Sequence, residues 1–450
     1  MQLPVSLLKS LEGAEGFDKE AFEKVHASGE QITSIRQNPS KKSQIQIPNS
    51  KISWTDSGYY LESRPSFTFD PLFHAGCYYV QEASSMFLEQ ALKQTVDLSM
   101  PLKVLDLCAA PGGKSTHIQS LISKDSLLVC NEIIRSRVNI LKDNIIKWGC
   151  ENVMVTSNDP KDFAKLQNYF DIIVVDAPCS GSGLFRRDAE AIEEWSENNV
   201  ALCSQRQQRI LADVLPALKK NGVLIYSTCS YSKEEDETIM DWLTEDLSVT
   251  NYPLHIDENG GITETVSAKG NYGYRFWPDK VKGEGFFLAV FQKRNGGETG
   301  SIKTKSKTET VSKQQVSVIK KWVNTPDPFL LKHDNTVYQW PGHLSADFNF
   351  LLNQLRVIYS GTIIGELMRD KLVPGHPLAM SPLVSDEITR SALSYEQAIL
   401  YLKRKELAIT GSTMGWQLAT YQGRNLGWMN VLANRINNYY PKELRILKDH

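Results

Sequence analysis

Two cysteines stand where a thiol could do chemistry. "VVDAPCSGSG" (residues 174–183) and "IYSTCSYS" (225–232) are apolar, β-branched runs that stop at Cys179 and Cys229 among small residues. About fifty residues separate the two, and neither has a second cysteine at metal-ligand spacing, so no metal is expected. Asp176 lies three residues ahead of Cys179. A lone cysteine at a strand end is most often a packing residue, and Cys77, Cys130, Cys150 and Cys203 keep that assignment. A pair at two strand mouths, with small neighbours that leave room for a substrate, suits nucleophilic catalysis.

A second constellation reads "VLDLCAAPGGKSTHIQSLI" (104–122): a strand, a glycine turn and a helix start. Gly112 and Gly113 let backbone approach a ligand, and the helix N-terminus offers free N–H groups. Three ligand classes compete. A P-loop fits Gly113-Lys114-Ser115, but Cys108 occupies its first glycine position. The dinucleotide fingerprint G-x-G-x-x-G is absent. S-adenosylmethionine (SAM) fits a small-residue turn over its methionine part, with Glu132 at the end of the next strand, "LLVCNE", for the ribose hydroxyls. A purely structural βα turn is the plain alternative. The third strand, "NVMVTSN", ends at Asn158-Asp159, where a side chain reaches an adenine amino group or Asp159-Pro160 merely begins a turn.

SAM and a thiol together point to one kind of reaction. The C5 carbon of a pyrimidine is too weak a nucleophile to attack a methyl sulfonium. A thiolate added at C6 makes C5 enamine-like, and an acid near N3 offsets the charge that develops on the ring. A second thiol would assist expulsion of the first.

The elements that must position these residues follow from the wider pattern. "KVLDLC", "SLLVCNE", "NVMVTSN", "DIIVVDAP", "GVLIYSTC" and "GFFLAVFQK" alternate with helical periodicity between about 85 and 293, the signature of a parallel α/β sheet. Ligands lie at the carboxyl ends of such strands, so both thiols and the glycine turn converge on one edge. Residues 1–50 read as helical and then basic and turn-rich. Residues 294–316 are polar and Gly/Ser/Thr/Lys-rich, a linker signature, and 317–450 read as a separate domain. The 450 residues carry a net charge of −2, so an RNA partner needs local basic patches. Scattered, odd-numbered cysteines fit a reducing cytoplasm, no apolar run nears a membrane span of roughly 20 residues, and the N-terminus turns acidic too early for a secretory signal.

The chain resembles the Nop/Sun family of RNA cytosine-C5 methyltransferases through "DLCAAPGGKS", "NE…SRVNIL", "DAPCSGSGLFRRD", "WSENNVALCSQRQQRIL", "YSTCSYSKEEDE" and "RFWPDKVKGEGFFLAVF". "GCYYVQEASSM" is similar to the family's entry segment, and the resemblance spans roughly 1–293. It implies Cys229 as nucleophile, Cys179 as the thiol of product release and Asp176 near both base and SAM. It implies SAM contacts from Cys108, Ala109, Ala110, Pro111, Gly112, Gly113, Lys114, Glu132, Arg137, Asp159 and Asp176. DNA cytosine methyltransferases use the P-C cysteine instead and lack the T-C-S partner, which favours RNA. One departure is Asp279, where the family often has His. No role is assigned to it.

The tail "GWQLATYQGRNLGWMNVLANRINNYYPKELRI" is similar to the PUA-like RNA-binding domain of bacterial F-type enzymes that modify small-subunit rRNA, with aromatics beside Lys442 and Arg445. The basic turn "SIRQNPSKK" (Arg36, Lys41, Lys42) is similar to their RNA-facing N-terminal segment. The expected architecture is α/β: an N-terminal RNA-contact segment (1–85), a Rossmann-like SAM-dependent methyltransferase domain (86–293), a linker (294–316) and a C-terminal region (317–450) ending in a PUA-like domain. The expected protein is a cytoplasmic monomer without metal or membrane partner that methylates cytosine C5 in 16S rRNA or the small ribosomal subunit. The same chemistry on tRNA, and a non-catalytic RNA-binding assembly factor, are the alternatives.

Overall fold

The computed structural model describes residues 3–41, 50–257, 260–297, 308–325, 328–369, 371–408 and 413–448. Strands β1 (Thr33–Gln37), β2 (Gly58–Leu61) and β3 (Tyr78–Val80) form an antiparallel sheet in the order β2-β1-β3. Here the structure corrects the RNA-facing basic turn. Arg36 is wholly buried. Its guanidinium donates to Gln81 Oε1 (2.8 Å), Thr116 Oγ1 (2.6 Å) and Gly113 O (3.2 Å), and lies 4.6 Å from the Trp148 ring centroid. Lys41 Nζ donates to Lys147 O (2.7 Å), near the end of helix Arg135–Trp148, and to Ala75 O (3.1 Å). Burial pulls its pKa down to about 8. Both cations stitch the N-terminal sheet to catalytic-domain helices because the sheet's inner face is covered on folding. Lys42 lies outside the described residues.

Short, mostly apolar strands build the central sheet: β4 (Lys103–Asp106), β5 (Leu127–Asn131), β6 (Val153–Thr156), β7 (Phe170–Asp176) and β8 (Leu218–Thr228). These five are mutually parallel, buried on both faces by helices, and so read as continuous hydrophobic runs rather than alternating ones. β9 (Val249–Asn251), β10 (Thr263–Val266), β11 (Tyr272–Phe276) and β12 (Phe286–Lys293) follow, and β12 pairs antiparallel with β8. The order reverses around β4, which lies between β5 and β7. That switch point opens a crevice at the carboxyl ends of the strands.

The remaining chain does not stand apart. β13 (Glu309–Thr310), β14 (Phe329–His333), β15 (Thr336–Trp340), β17 (Thr362–Met368) and β18 (Lys371–Pro374) form a five-stranded antiparallel sheet, but β16 (Val357–Ser360) leaves it. β16 pairs antiparallel with β6 and becomes an edge strand of the catalytic sheet. The polar stretch 294–316 holds, in its described part, β13 and the start of helix Lys313–Ile319, which opens on a capping box between Ser312 and Gln315. β19 (Arg390–Ala392), β20 (Gly415–Tyr421), β21 (Arg424–Val431) and β22 (Ile436–Asn438) make the last sheet. Its core is shared with the N-terminal sheet: Leu402, Leu426 and Tyr440 pack with Ile35, Leu72 and Tyr78. Among the described residues no helix is long and apolar enough to cross a membrane.

Candidate active site

The glycine turn follows β4. Gly112 has φ +110°, a left-handed conformation that a side chain rarely adopts, and an added Cβ would lie 3.3 Å from Leu141 Cδ1. Helix Gly113–Leu121 starts there, and Arg36 grips its first turns. Asn131, at the end of β5, holds three strand ends in register. Its amide donates to Leu107 O (3.2 Å) and Asn158 O (3.0 Å), and its oxygen accepts from Asn158 N and Thr156 Oγ1 (2.9 Å each). Sequence reasoning passed over Asn131, although a buried amide between an apolar strand and Glu132 was a visible signal.

Asp106, Cys108, Glu132 and Asp176 lie close to one another by this turn. Asp106 is fully buried; one oxygen accepts from Ser115 Oγ (2.6 Å) and Oδ1 has no partner among the described residues. Burial, with Asp176 and Glu132 nearby, raises its pKa to about 7 against the hydrogen bond from Ser115 and the charge of Lys114. The Cys108 thiol is pushed up by burial and by the charges of Asp106, Asp176 and Glu132. Glu132 is buried, accepts from Ile134 N (2.9 Å) and lies 3.5 Å from the Arg137 guanidinium, which donates to Ala110 O (2.6 Å). Arg137 thus ties the turn that runs through Ala109 and Pro111 to the acid. SAM is a cation at its sulfonium and its amino group. An acidic cup with an unpartnered carboxylate oxygen, floored by glycine backbone, fits it. Asp159 follows β6, and its side chain accepts from Lys161 N (3.2 Å) and caps the turn Pro160–Lys165. The neighbouring Asn158 amide is occupied at both ends by the Arg356 backbone (2.9 and 3.2 Å).

The thiols lie at the next two strand ends. Asp176, the last residue of β7, accepts from Ser227 Oγ (2.8 Å) and pairs with Lys114 Nζ (2.7 Å). Lys114 thereby links the glycine turn to the thiol edge. The loops after β7 and β8 are sewn together: Gly183 N donates to Cys229 O (2.8 Å), and Cys229 N approaches Cys179 Sγ (3.3 Å). At Gly183 an added Cβ would lie 2.5 Å from Gly285 O and 2.8 Å from Cys229 O, so only glycine lets these three backbones meet. Cys179 Sγ and Cys229 Sγ stand 2.8 Å apart as free thiols. The contact with Cys229 and burial push the Cys179 thiol well up, so it is held protonated, the form that can give a proton away.

Sequence reasoning missed what supports these loops. In the run "KEEDE" (233–237), to which no role was given, Glu235, Asp236 and Glu237 are buried. Glu237 pairs with Arg275 (2.7 and 2.5 Å), and Asp236 accepts from Thr228 Oγ1 (2.7 Å). Glu235 accepts hydrogen bonds from the serine that follows each cysteine. In the C-terminal region, Arg404, Lys405, Asn437, Tyr439 and Lys442 line an open groove of about 650 Å³. Of the tandem tyrosines, Tyr439 is exposed beside Trp416 (ring centroids 4.4 Å), whereas Tyr440 is buried in the shared core. Lys442 and Arg445 are exposed. Among the described residues no group of three or more His, Cys, Asp and Glu is arranged to hold a metal ion.

Comparison with known proteins gives three family matches in chain order. The N-terminal domain of 16S rRNA methyltransferase RsmF matches residues 3–83, 16S rRNA methyltransferase RsmB/F matches 94–292, and the RsmF PUA domain matches 389–446. The chain is 30% identical over 420 residues to ribosomal RNA small subunit methyltransferase F of Vibrio parahaemolyticus, covering 88% of this chain and 85% of that one. It is 27% identical over 414 residues to the Shewanella loihica protein of the same name, covering 87% and 83%. Among solved structures, a methyltransferase homolog from Pyrococcus horikoshii superposes with a TM-score of 0.52 at 27% identity, over 65% of this chain and 100% of that one. NSun6 from Pyrococcus horikoshii, solved with SFG, shares the fold with a TM-score of 0.54 at 19% identity, over 65% and 98%.

Proposed function

The chain belongs to the 16S rRNA methyltransferase RsmB/F family, and on that premise we propose that it methylates C5 of a cytosine in 16S rRNA through a covalent bond from Cys229 to C6. The observation that carries this reading is the meeting of two free thiols, 2.8 Å apart, beside the Asp176–Lys114 pair and on the same sheet edge as the glycine turn. SAM, the methyl donor of this family, supplies an electrophilic methyl group when bound at the turn. The chain's own residues do the rest. Cys108 to Lys114 and Arg137 shape the turn, Glu132 serves the ribose and Asp159 the adenine rim. The Cys229 thiolate adds at C6, and the C5=C6 electron pair becomes available at C5 for the methyl carbon. Asp176 faces N3, and the ammonium of its partner Lys114 offsets the negative charge that develops on the ring. The C5 proton then passes to solvent, the C5–H electron pair re-forms the C5=C6 bond, and the C6–S bond breaks with its pair going to the Cys229 sulfur. Protonated Cys179 lies in contact with that sulfur and hands it a proton as it leaves. The base must leave its stack to reach two strand-end loops, which costs a few kcal/mol and favours loops over stable duplex.

A denaturing gel of protein incubated with a 16S rRNA transcript and SAM tests this. A slow protein–RNA band should accumulate with Cys179→Ala and be absent from Cys229→Ala and from the double mutant. The band appearing with Cys229→Ala instead would reverse the roles and overturn the assignment.

A further inference from the structure

Glu235 has no exposure to solvent and no cation among its hydrogen-bond donors. Its carboxylate is nevertheless fully used. One oxygen accepts from Ser180 N (2.9 Å) and Gln207 Nε2 (3.0 Å); the other accepts from Ser180 Oγ (2.5 Å) and Ser230 Oγ (2.7 Å). Ser180 directly follows Cys179, and Ser230 directly follows Cys229. One side chain therefore bridges the two thiol loops immediately behind their sulfurs. Other ties flank this bridge: Ala177 N to Ser227 O and Ser227 Oγ to Asp176 (2.8 Å each) before the cysteines, and Gly183 N to Cys229 O (2.8 Å) and Tyr231 N to Ser182 Oγ (2.9 Å) after them, while weaker contacts, Cys229 N to Cys179 Sγ and Ser180 Oγ to Ser230 Oγ (3.3 Å each), join the same residues directly. The flanking ties keep the loops adjacent, and the short Glu235 bonds hold the two residues that directly follow the sulfurs. A buried carboxylate with four donors is costly to desolvate, and a structural tie between two loops could be made from neutral groups. Its placement behind both reactive atoms is what distinguishes it.

We propose that Glu235 is a positioning residue of the two-thiol cycle: it sets the separation and mutual aim of Cys179 and Cys229, and through them the release step. The inference rests on the function proposed above. Its chemistry is geometric, not acid–base, because Glu235 points at serines rather than at the thiols or the base. The distinction is testable with the amide. In Glu235→Gln the remaining oxygen can still accept from Ser180 N and Gln207, while the new N–H groups face two serine hydroxyls free to rotate and accept.

The experiment measures kcat and KM for a 16S rRNA transcript, SAM affinity by calorimetry, and the adduct band on a denaturing gel, for E235A, E235Q and C179A. With E235A, kcat should fall about 100-fold, the scale of an ångström-level misplacement of reacting groups, with KM and SAM affinity near wild type. The adduct band should accumulate as it does with C179A. E235Q should recover at least tenfold of the lost kcat. In a C179A background, E235A should add no further adduct. Wild-type kcat in E235A, or an E235Q as slow as E235A, overturns the inference; the second result would make the carboxylate a proton acceptor. Should E235A lose SAM binding through misfolding, S180A/S230A removes only the two hydroxyl donors, and the same readouts apply. A missing band in C179A itself overturns the two-thiol cycle and takes this inference with it, whereas a band in C179A but not in E235A overturns the role of Glu235 alone.

Discussion

Replacing Arg36 separates two accounts of the N-terminal sheet. In the sequence this arginine belongs to a basic turn suited to RNA; in the structure it is a buried bolt. Its short hydrogen bonds reach Gln81 Oε1 (2.8 Å) and Thr116 Oγ1 (2.6 Å), with three longer ones to Gly113 O, Thr116 O and Ser120 Oγ (3.2–3.4 Å). A hydrogen bond to a charged group is worth about 1.5–3 kcal/mol net, and Arg36→Ala leaves the buried Gln81 acceptor unpaired as well as a cavity beside Trp148. The longer bonds add little, so the expected loss is about 3–5 kcal/mol. Arg36→Met keeps most of the packing and should lose about 3 kcal/mol, the two short hydrogen bonds at the low end of that range. Urea unfolding followed by tryptophan emission measures the loss, and calorimetry with SAM reports on helix Gly113–Leu121. RNA binding by folded Arg36→Met should keep the wild-type dependence on salt. A variant of wild-type stability whose RNA affinity drops, with a salt slope smaller by about one, would refute burial and restore Arg36 as a phosphate contact.

Glu132→Ala should weaken SAM binding by about 1–2 kcal/mol in calorimetry, the value of one charge-assisted hydrogen bond; unchanged affinity would remove Glu132 from the site. Charge reversal at Lys405 and Lys442 should weaken RNA binding and flatten its salt dependence while SAM affinity stays constant, and a tail that tolerates both changes is not an RNA surface. Deleting 317–450 is expected to weaken SAM binding too, because β16 and the Arg356 backbone support the end of β6. His117 is buried against Glu89 (2.9 Å), with Lys93 and Arg36 close by, and burial pulls its pKa down to about 4 from 6.5. Between those values the unfolded chain binds more protons than the folded one, so His117 contributes stability above pH 6.5 that is lost toward pH 4. His117→Asn should make the acid side of the stability profile shallower by about 1.4 kcal/mol per pH unit, as read from urea titrations, and an unchanged slope would show that His117 is charged in the fold.

The sequence was most legible where chemistry and backbone are local. The strand ends, the glycine turn and the pairing of thiol with small neighbours are each written within ten residues, and the resemblance joined them. What failed depends on tertiary partners. A basic turn looks the same whether its guanidinium meets phosphate or Gln81. Nothing within an acidic run marks it as buried; its partners, Ser180 from a second loop and an arginine from β11, come from elsewhere in the chain. Asp159 shows its plainer expectation, since its side chain caps the turn that Pro160 begins. The stretch 294–316 is polar enough to read as linker, yet the Ser312–Gln315 pair within it is a helix-start signature that composition averages away. β16 was not recognisable as part of the catalytic sheet. A four-residue strand has no marker for a partner some two hundred residues earlier.

That late strand bears on how the chain comes off the ribosome. β6 is complete once residue 156 has been made, but its neighbour at 357–360 follows about 200 residues later, which at ~5–20 residues per second is on the order of 10–40 s of synthesis. Until then the catalytic sheet carries a bare parallel edge, with the β6 backbone groups open to any other extended chain. The shared core imposes a similar wait, because Ile35 and Tyr78 meet Leu402 and Tyr440 only when translation is nearly finished. The catalytic half is thus synthesised early but closed from the C-terminal side, so a chain that stops before residue 357 leaves the ribosome with an unpaired strand at the edge of its central sheet.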